Sequence, residues 1–98
     1  MSLAHSAATV VAIIQAVFGG HAQQARAVAY CESRLDPKAV NVSSRAVGLF
    51  QIVWRFHRRP GESYASFKRR MSDPWENARY AYRLSRGGTR WDAWDCAP

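Results

Sequence analysis

Residues 31–52 read CESRLDPKAVNVSSRAVGLFQI, and this stretch decides the fold. Its first residues lie near the end of an amphipathic segment that predicts a helix from about Ala22 to Leu35. The helix cannot continue much further, because Pro37 disfavours the α region at the residue before it. Asparagine and serine residues typical of turns follow, and then a short apolar run. We therefore expect a helix followed by a loop or small irregular hairpin near residues 36–52.

Helix signals also dominate the remainder of the chain. Ser6 can cap a helix that runs to Phe18 and stops at Gly19 and Gly20. Asp73 and the proline after it predict the start of another helix, which runs to about residue 85. Between them, a shorter helix places three apolar side chains on one face: Tyr64, Phe67 and Met71. No alternation with a period of two persists, so the fold class is mainly α.

Length and composition restrict the class of protein further. A chain of 98 residues is long enough for one domain and not two, so residues 1–98 are interpreted as a single domain. A hydrophobic fraction of 48% excludes a disordered chain. Residues 1–20 could pass for a secretory signal, but the first basic residue is Arg26, whereas a signal begins with positive charge. We expect a core helix there, and export by another route.

Glu32 is the candidate for chemistry. It continues the apolar face formed by Ala25, Val28 and Ala29, and it lies in the last turn of its helix, at the negative end of the dipole. Both effects raise the pKa of a carboxyl group, and a protonated carboxyl group can serve as a general acid. The alternative is a structural glutamate that pairs with an arginine or lies at the rim of the core.

The order of several short motifs resembles the superfamily of lytic transglycosylases and goose-type lysozymes. The motifs are Cys31-Glu32-Ser33, Leu35-Asp36-Pro37, Ala39-Val40-Asn41 and the segment 48–52, GLFQI. The closing WDAWDC of residues 91–96 is similar to the small resuscitation-promoting-factor branch. The resemblance covers about half of the chain and implies a small, mainly α, lysozyme-like fold.

The resemblance implies an activity and a set of site residues. Its catalytic glutamate falls on Glu32, which protonates the β-1,4 glycosidic oxygen between N-acetylmuramic acid and N-acetylglucosamine and then acts as a base. No cofactor is implied, and the histidines and cysteines lack the spacing of metal ligands. The residues expected to contact substrate are Ser33, Ser44, Gly48, Phe50, Gln51, Tyr82 and Trp91.

Two departures from the family pattern concern the site. Arg34 stands where the family usually has glycine, at the mouth of the expected cleft. A Tyr-Asn pair near the C-terminus is missing, so we expect Tyr80, Tyr82 or Trp91 to supply its aromatic ring.

The two cysteines, Cys31 and Cys96, either form a disulfide or remain as two free thiols, and their number alone leaves both alternatives open. The resemblance to the resuscitation-promoting-factor branch implies that they pair.

The charge of the chain bears on its partners. Its formal net charge is +7, and most of the basic residues fall between Arg55 and Arg90. A stripe of arginines, at positions 79, 83, 86 and 90, is either a polyanion-binding face or an ordinary solvated face. We expect a monomer whose partner is peptidoglycan, with anionic wall polymers as further ligands. The expected location is outside the cell, at the wall or in a phage particle. Nucleic acid is the rival, but no nucleic-acid-binding motif supports it.

The spacing of the acidic residues predicts the outcome of cleavage. After Glu32 the next carboxylate is Asp36, just past the helix, and no motif places another carboxylate across from the acid. A water nucleophile needs such a group, whereas the muramoyl 6-hydroxyl is already tethered. We therefore expect a lytic transglycosylase that leaves 1,6-anhydro ends. The alternatives are a hydrolytic lysozyme and a non-catalytic module that binds cell wall or nucleic acid.

Overall fold

Five α-helices and a small sheet make up residues 6–98, the part of the chain that the computed structural model describes. The helices are α1 (Ala7–Phe18), α2 (Ala22–Ser33), α3 (Trp54–His57), α4 (Tyr64–Met71) and α5 (Pro74–Leu84). The strands are β1 (Val40–Asn41), β2 (Ala46–Val47) and β3 (Ile52–Val53). The mainly α, lysozyme-like class with a hairpin region near 36–52 is thereby confirmed.

Helix α1 is the core helix that the sequence predicts. The Ser6 hydroxyl accepts a hydrogen bond from the Thr9 N–H at 3.1 Å, and Gly19 ends the helix with a φ of 56°. Its buried face packs against α2 and α5 and consists of Val10, Ile13, Ile14 and Phe18. The first five residues of the signal-like stretch lie outside the described residues.

Helix α5 begins as predicted and ends slightly earlier. The Asp73 carboxylate accepts hydrogen bonds from the N–H groups of Trp75 and Glu76, at 2.9 and 3.1 Å. The helix ends at Leu84, and Arg86 already has a left-handed φ of 51°. The predicted arginine stripe is therefore split, with positions 79 and 83 on the helix and positions 86 and 90 beyond it.

Helix α2 ends at Ser33, two residues before the predicted boundary. Arg34 and Leu35 both take left-handed conformations, with φ of 56° and 62°, and the Arg34 N–H still donates to the Tyr30 carbonyl at 2.8 Å. This sharp turn lets Leu35 pack against the core. It also gives a physical reason for the family's glycine at position 34, since a left-handed conformation favours glycine.

A three-stranded antiparallel sheet follows, in the order β1-β2-β3. Val47 in the central strand pairs with Val40 on one side and with Ile52 on the other. Helix α3 begins directly after β3, and no sequence signal predicted this four-residue helix, which has no side-chain cap.

The turn between β2 and β3 is held from behind by Asn77 of α5, which is fully buried. The Asn77 amide nitrogen donates to the carbonyls of Val47 and Met71, both at 2.9 Å, and its oxygen accepts from the Phe50 N–H at 2.9 Å. Gly48 has a φ of 84° and abuts Asn77 and the Met71 carbonyl so closely that a Cβ atom would overlap them. This packing fixes the backbone that leads to Gln51.

The C-terminal segment folds back onto α2 and the turn. Trp91 is buried against Phe18 and Phe50, with ring centroids 5.7 and 6.0 Å apart. The Trp94 indole N–H donates to the Phe50 carbonyl at 2.8 Å. A disulfide joins Cys31 to Cys96, and this confirms the predicted pairing.

Among the helices that the structure describes, none is both long enough and apolar enough to cross a membrane.

Candidate active site

A cleft of about 330 Å³ lies where the end of α2, the sheet, α3 and the C-terminal segment meet. Its polar lining includes Glu32, Gln51, His57 and Asp95, and Trp94 forms part of its apolar wall. These residues come from four separate segments, so only the tertiary fold brings them together.

Glu32 is half-buried on the wall of this cleft, as its position on the apolar face of α2 predicts. Burial raises the pKa of its carboxyl group above the ordinary value of 4.5. The Cys96 N–H, which donates to Glu32 Oε2 at 3.2 Å, acts in the opposite direction, and the negative charge of Asp95 raises the pKa further. Glu32 therefore favours the protonated form more than a solvated glutamate does.

Asp95 is a second carboxylate in the cleft, and the sequence analysis did not find it. Asp95 directly precedes Cys96, which lies 64 positions after Glu32 in the sequence. The disulfide between Cys96 and Cys31, the neighbour of Glu32, brings the two segments together. The pairing itself was the available signal, because residues adjacent to two bridged cysteines must lie near each other. The cleft therefore contains a carboxylate that the sequence motifs did not indicate.

His57, at the end of α3, also lines the cleft. Its Nδ1 lies 3.1 Å from the hydroxyl of Tyr80, and burial lowers the pKa of its imidazole below 6.5. The neutral ring can therefore offer or accept a hydrogen bond at neutral pH. Tyr80, which was expected to supply an aromatic surface, supports His57 from behind and is not part of the lining.

Two of the predicted substrate contacts, Gln51 and Ser44, do line the cleft. The Gln51 amide nitrogen donates to the carbonyls of Gly48 and Ala39, at 3.0 and 3.2 Å. These bonds use the donor side of the amide and orient its oxygen as the acceptor that remains for a ligand.

The other predicted contacts lie elsewhere. Ser33 is buried and donates to the Ala29 carbonyl at 3.0 Å, and Gly48 packs against α5. Phe50, in the turn between β2 and β3, and Trp91, in the C-terminal segment, are both buried in the aromatic core, where their rings stack. Tyr82 is exposed but packs edge-on against Phe18, outside the cleft. None of these five is among the residues that line the cleft.

Aromatic surface is supplied instead by Trp94 and Phe56. Phe56 is 67% exposed at the rim, an unusual position for a large apolar side chain. Such a ring presents a flat face to a sugar ring. Neither residue carried a distinguishing sequence signal, since the closing WDAWDC offers two tryptophans and only the fold decides which one faces the cleft.

Within residues 6–98, no group of three or more histidine, cysteine or acidic side chains is placed to hold a metal ion.

A small helical fold with a three-stranded sheet, and an acidic side chain on the wall of its cleft, is consistent with a lysozyme-like protein. A family model described as lysozyme like domain matches residues 6–96. The chain belongs to this lysozyme-like domain family, whose substrate is peptidoglycan. No curated protein and no solved structure matches the chain significantly.

Proposed function

We propose that this protein is a peptidoglycan glycosidase that cleaves the β-1,4 bond between N-acetylmuramic acid and N-acetylglucosamine, with Glu32 as the general acid. The supporting observation is the half-buried Glu32 carboxyl group, whose pKa is raised by burial and by Asp95, on the wall of a cleft. A protonated carboxyl group so placed can donate its proton to the leaving oxygen and then accept one from the nucleophile.

The test is Glu32→Gln, which keeps the shape of the side chain but cannot transfer a proton. General acid–base catalysis contributes roughly 10²–10⁴-fold, so clearing of a wall suspension should slow by at least about 100-fold. The matched control is Glu76→Gln, an exposed glutamate on α5 outside the cleft, which should remain fully active. Activity of Glu32→Gln above about a tenth of the wild-type rate would exclude Glu32 as the acid.

We also propose the lytic outcome, in which the muramoyl 6-hydroxyl attacks and a 1,6-anhydro end forms. Asp95 and Glu32 come from the two segments that the disulfide joins, and the charge of Asp95 acts on the Glu32 carboxyl group. We infer from this that the two carboxyl groups lie on the same side of the cleft. A carboxylate in that position supports the protonated acid, whereas a water-activating base has to act from the opposite face of the sugar. The tethered 6-hydroxyl then has the advantage of high effective concentration.

The second candidate is hydrolysis by water, and the observation that favours it is the presence of Asp95 and His57 in the cleft. The masses of muropeptides from purified peptidoglycan separate the two outcomes, because the anhydro product is lighter by one water. Reducing-end products that disappear selectively in Asp95→Asn would assign Asp95 as the base and refute the lytic outcome.

The extracellular setting follows from the same proposal. Peptidoglycan lies outside the cytoplasm, and the Cys31–Cys96 disulfide suits an oxidising compartment. We propose the cell wall or a phage particle as the place of action.

A further inference from the structure

A second cavity of about 250 Å³ adjoins the cleft on the side of the sheet and α3. Ser44, Val53 and Phe56 line both spaces, so the two adjoin, and we refer to them together as the groove. The far part, which we call the arginine end, is formed by Arg45, Trp54, Arg55 and Phe56.

The two arginines of this end are exposed and available for a ligand. The Arg45 guanidinium lies 4.9 Å from the ring centre of Tyr64 and 5.4 Å from that of Trp54. The Arg55 guanidinium lies 4.6 Å from the ring centre of Phe56. Within residues 6–98, the ion pairs are Arg70–Glu62 and Arg90–Asp92, so neither Arg45 nor Arg55 has a carboxylate partner there.

The aromatic floor of the arginine end is held in place. The Trp54 indole N–H donates to the Glu62 carbonyl at 3.3 Å, and the Trp54 ring packs edge-on against Tyr64. The Arg70 guanidinium donates two hydrogen bonds to the Glu62 carboxylate, at 2.8 and 3.0 Å. Stacking on a fixed floor reduces the side-chain entropy that Arg45 would lose on binding an anion.

The groove is therefore electrically asymmetric along its length. Glu32 and Asp95 line only the first cavity, and Arg45 and Arg55 line only the second. A glycan strand is neutral except for its negatively charged substituents. Such a substituent would be repelled by the Asp95 carboxylate and attracted by the two arginines. A guanidinium group also matches a carboxylate with two parallel hydrogen bonds.

We propose that the arginine end is a subsite for a carboxylate carried by the muramoyl residue, and that it sets the direction in which the glycan lies across Glu32. The inference rests on the proposed function and adds the charged group that the groove recognises. The carboxylate is either that of the lactyl ether on a bare strand or one of the attached stem peptide, and both present the same chemistry.

The experiment compares Arg45→Gln/Arg55→Gln with the wild type on two substrates, peptidoglycan with its stem peptides and strands stripped of them by an amidase. Because the variant loses hydrogen bonds to a charged group, KM should rise about tenfold or more while kcat is largely kept. A larger effect on peptide-bearing strands assigns the stem peptide. A larger effect on stripped strands, where the amidase has freed the lactyl carboxylate from its amide bond, assigns the lactyl group. On stripped strands whose carboxylates are converted to neutral amides, the effect should disappear.

The matched control is Arg79→Gln/Arg86→Gln, which removes the same charge from exposed arginines outside the groove. An equal rise in KM in the control would overturn the subsite and leave only general attraction of a basic protein to the wall. An effect confined to walls that carry phosphodiester polymers would overturn it as well.

One further variant keeps the test decisive. Arg55→Gln alone, at an exposed position, repeats it if the double variant unfolds at a lower temperature. If only the subsite proposal is wrong, the wild type still cleaves the substrates. If the proposed function is wrong, the wild type cleaves none of them, so the two failures are distinguishable.

Discussion

Replacing Cys31 and Cys96 together by serine removes the covalent link between the end of α2 and the C-terminal segment. The disulfide spans 65 positions, and a loop of this size restricts the unfolded chain by about 4 kcal/mol in the chain-entropy model. A loss of this size is a large part of the roughly 5–15 kcal/mol by which a domain is typically stable. It also lowers the melting temperature strongly, because about 1 kcal/mol corresponds to roughly 4–8 °C in a domain of this length. Urea unfolding of the oxidised wild type and the double variant measures the difference directly.

A second substitution identifies the origin of this effect. Trp94→Phe keeps the disulfide but removes the indole N–H that donates to the Phe50 carbonyl, at an expected cost of about 1–3 kcal/mol. If the disulfide acts on the unfolded chain, the two effects add when combined. If the disulfide acts by docking the C-terminal segment, the two stability losses do not add, because the disulfide and the Trp94 hydrogen bond then stabilise the same contact.

Two results would refute the reasoning. One is a stability loss below about 1 kcal/mol in the double serine variant, since the loop-closure estimate is several times larger. The other is the titration of two free thiols in the native oxidised protein, which would mean that the pair does not form in solution.

Three further predictions concern single side chains. Arg34→Gly should raise the free energy of unfolding by about 0.5–1 kcal/mol, because position 34 is left-handed; unchanged urea stability would contradict this. Glu62 has a pKa lowered to about 2 by its hydrogen bonds from Arg70, so its contribution is complete above the ordinary 4.5 and is lost as the pH falls towards 2. Glu62→Gln should therefore be less stable than the wild type at pH about 7 and nearly equal to it near pH 2, and a gap that persists in acid would disprove the linkage. Asp95→Asn removes a charge that raises the pKa of Glu32, so the alkaline limb of the pH profile of kcat/KM should move to lower pH, whereas the exposed control Asp92→Asn should leave it in place.

The features that the sequence predicted well depend on contacts within a few residues. The cap at Ser6 bonds to Thr9, and the cap at Asp73 bonds to Trp75 and Glu76, so both helix starts were visible in the local sequence. The burial of Glu32 on the inner face of α2 follows from helical periodicity in the same way.

The features that the sequence did not predict depend on contacts between residues far apart along the chain. Helix α2 ends at Ser33 because Leu35 turns into a core formed by other elements, and α3 has no side-chain cap that could announce it. Of the GLFQI segment, only Gln51 and Ile52 face the cleft, because Asn77 holds the turn from the opposite side.

The sequence by itself determined the helical class, the place of Glu32 on the inner face of α2 and, through its resemblance to a family, the disulfide. Only the tertiary structure decided what surrounds that acid: Asp95, His57 and Trp94 rather than Phe50, Tyr82 and Trp91. The physical reason is chain separation. Asp95 and His57 line the same cleft as Glu32 only after the chain has closed long loops, in the case of Asp95 through the disulfide and the packing of the C-terminal segment. No local pattern of residues records which side chains then face the cleft.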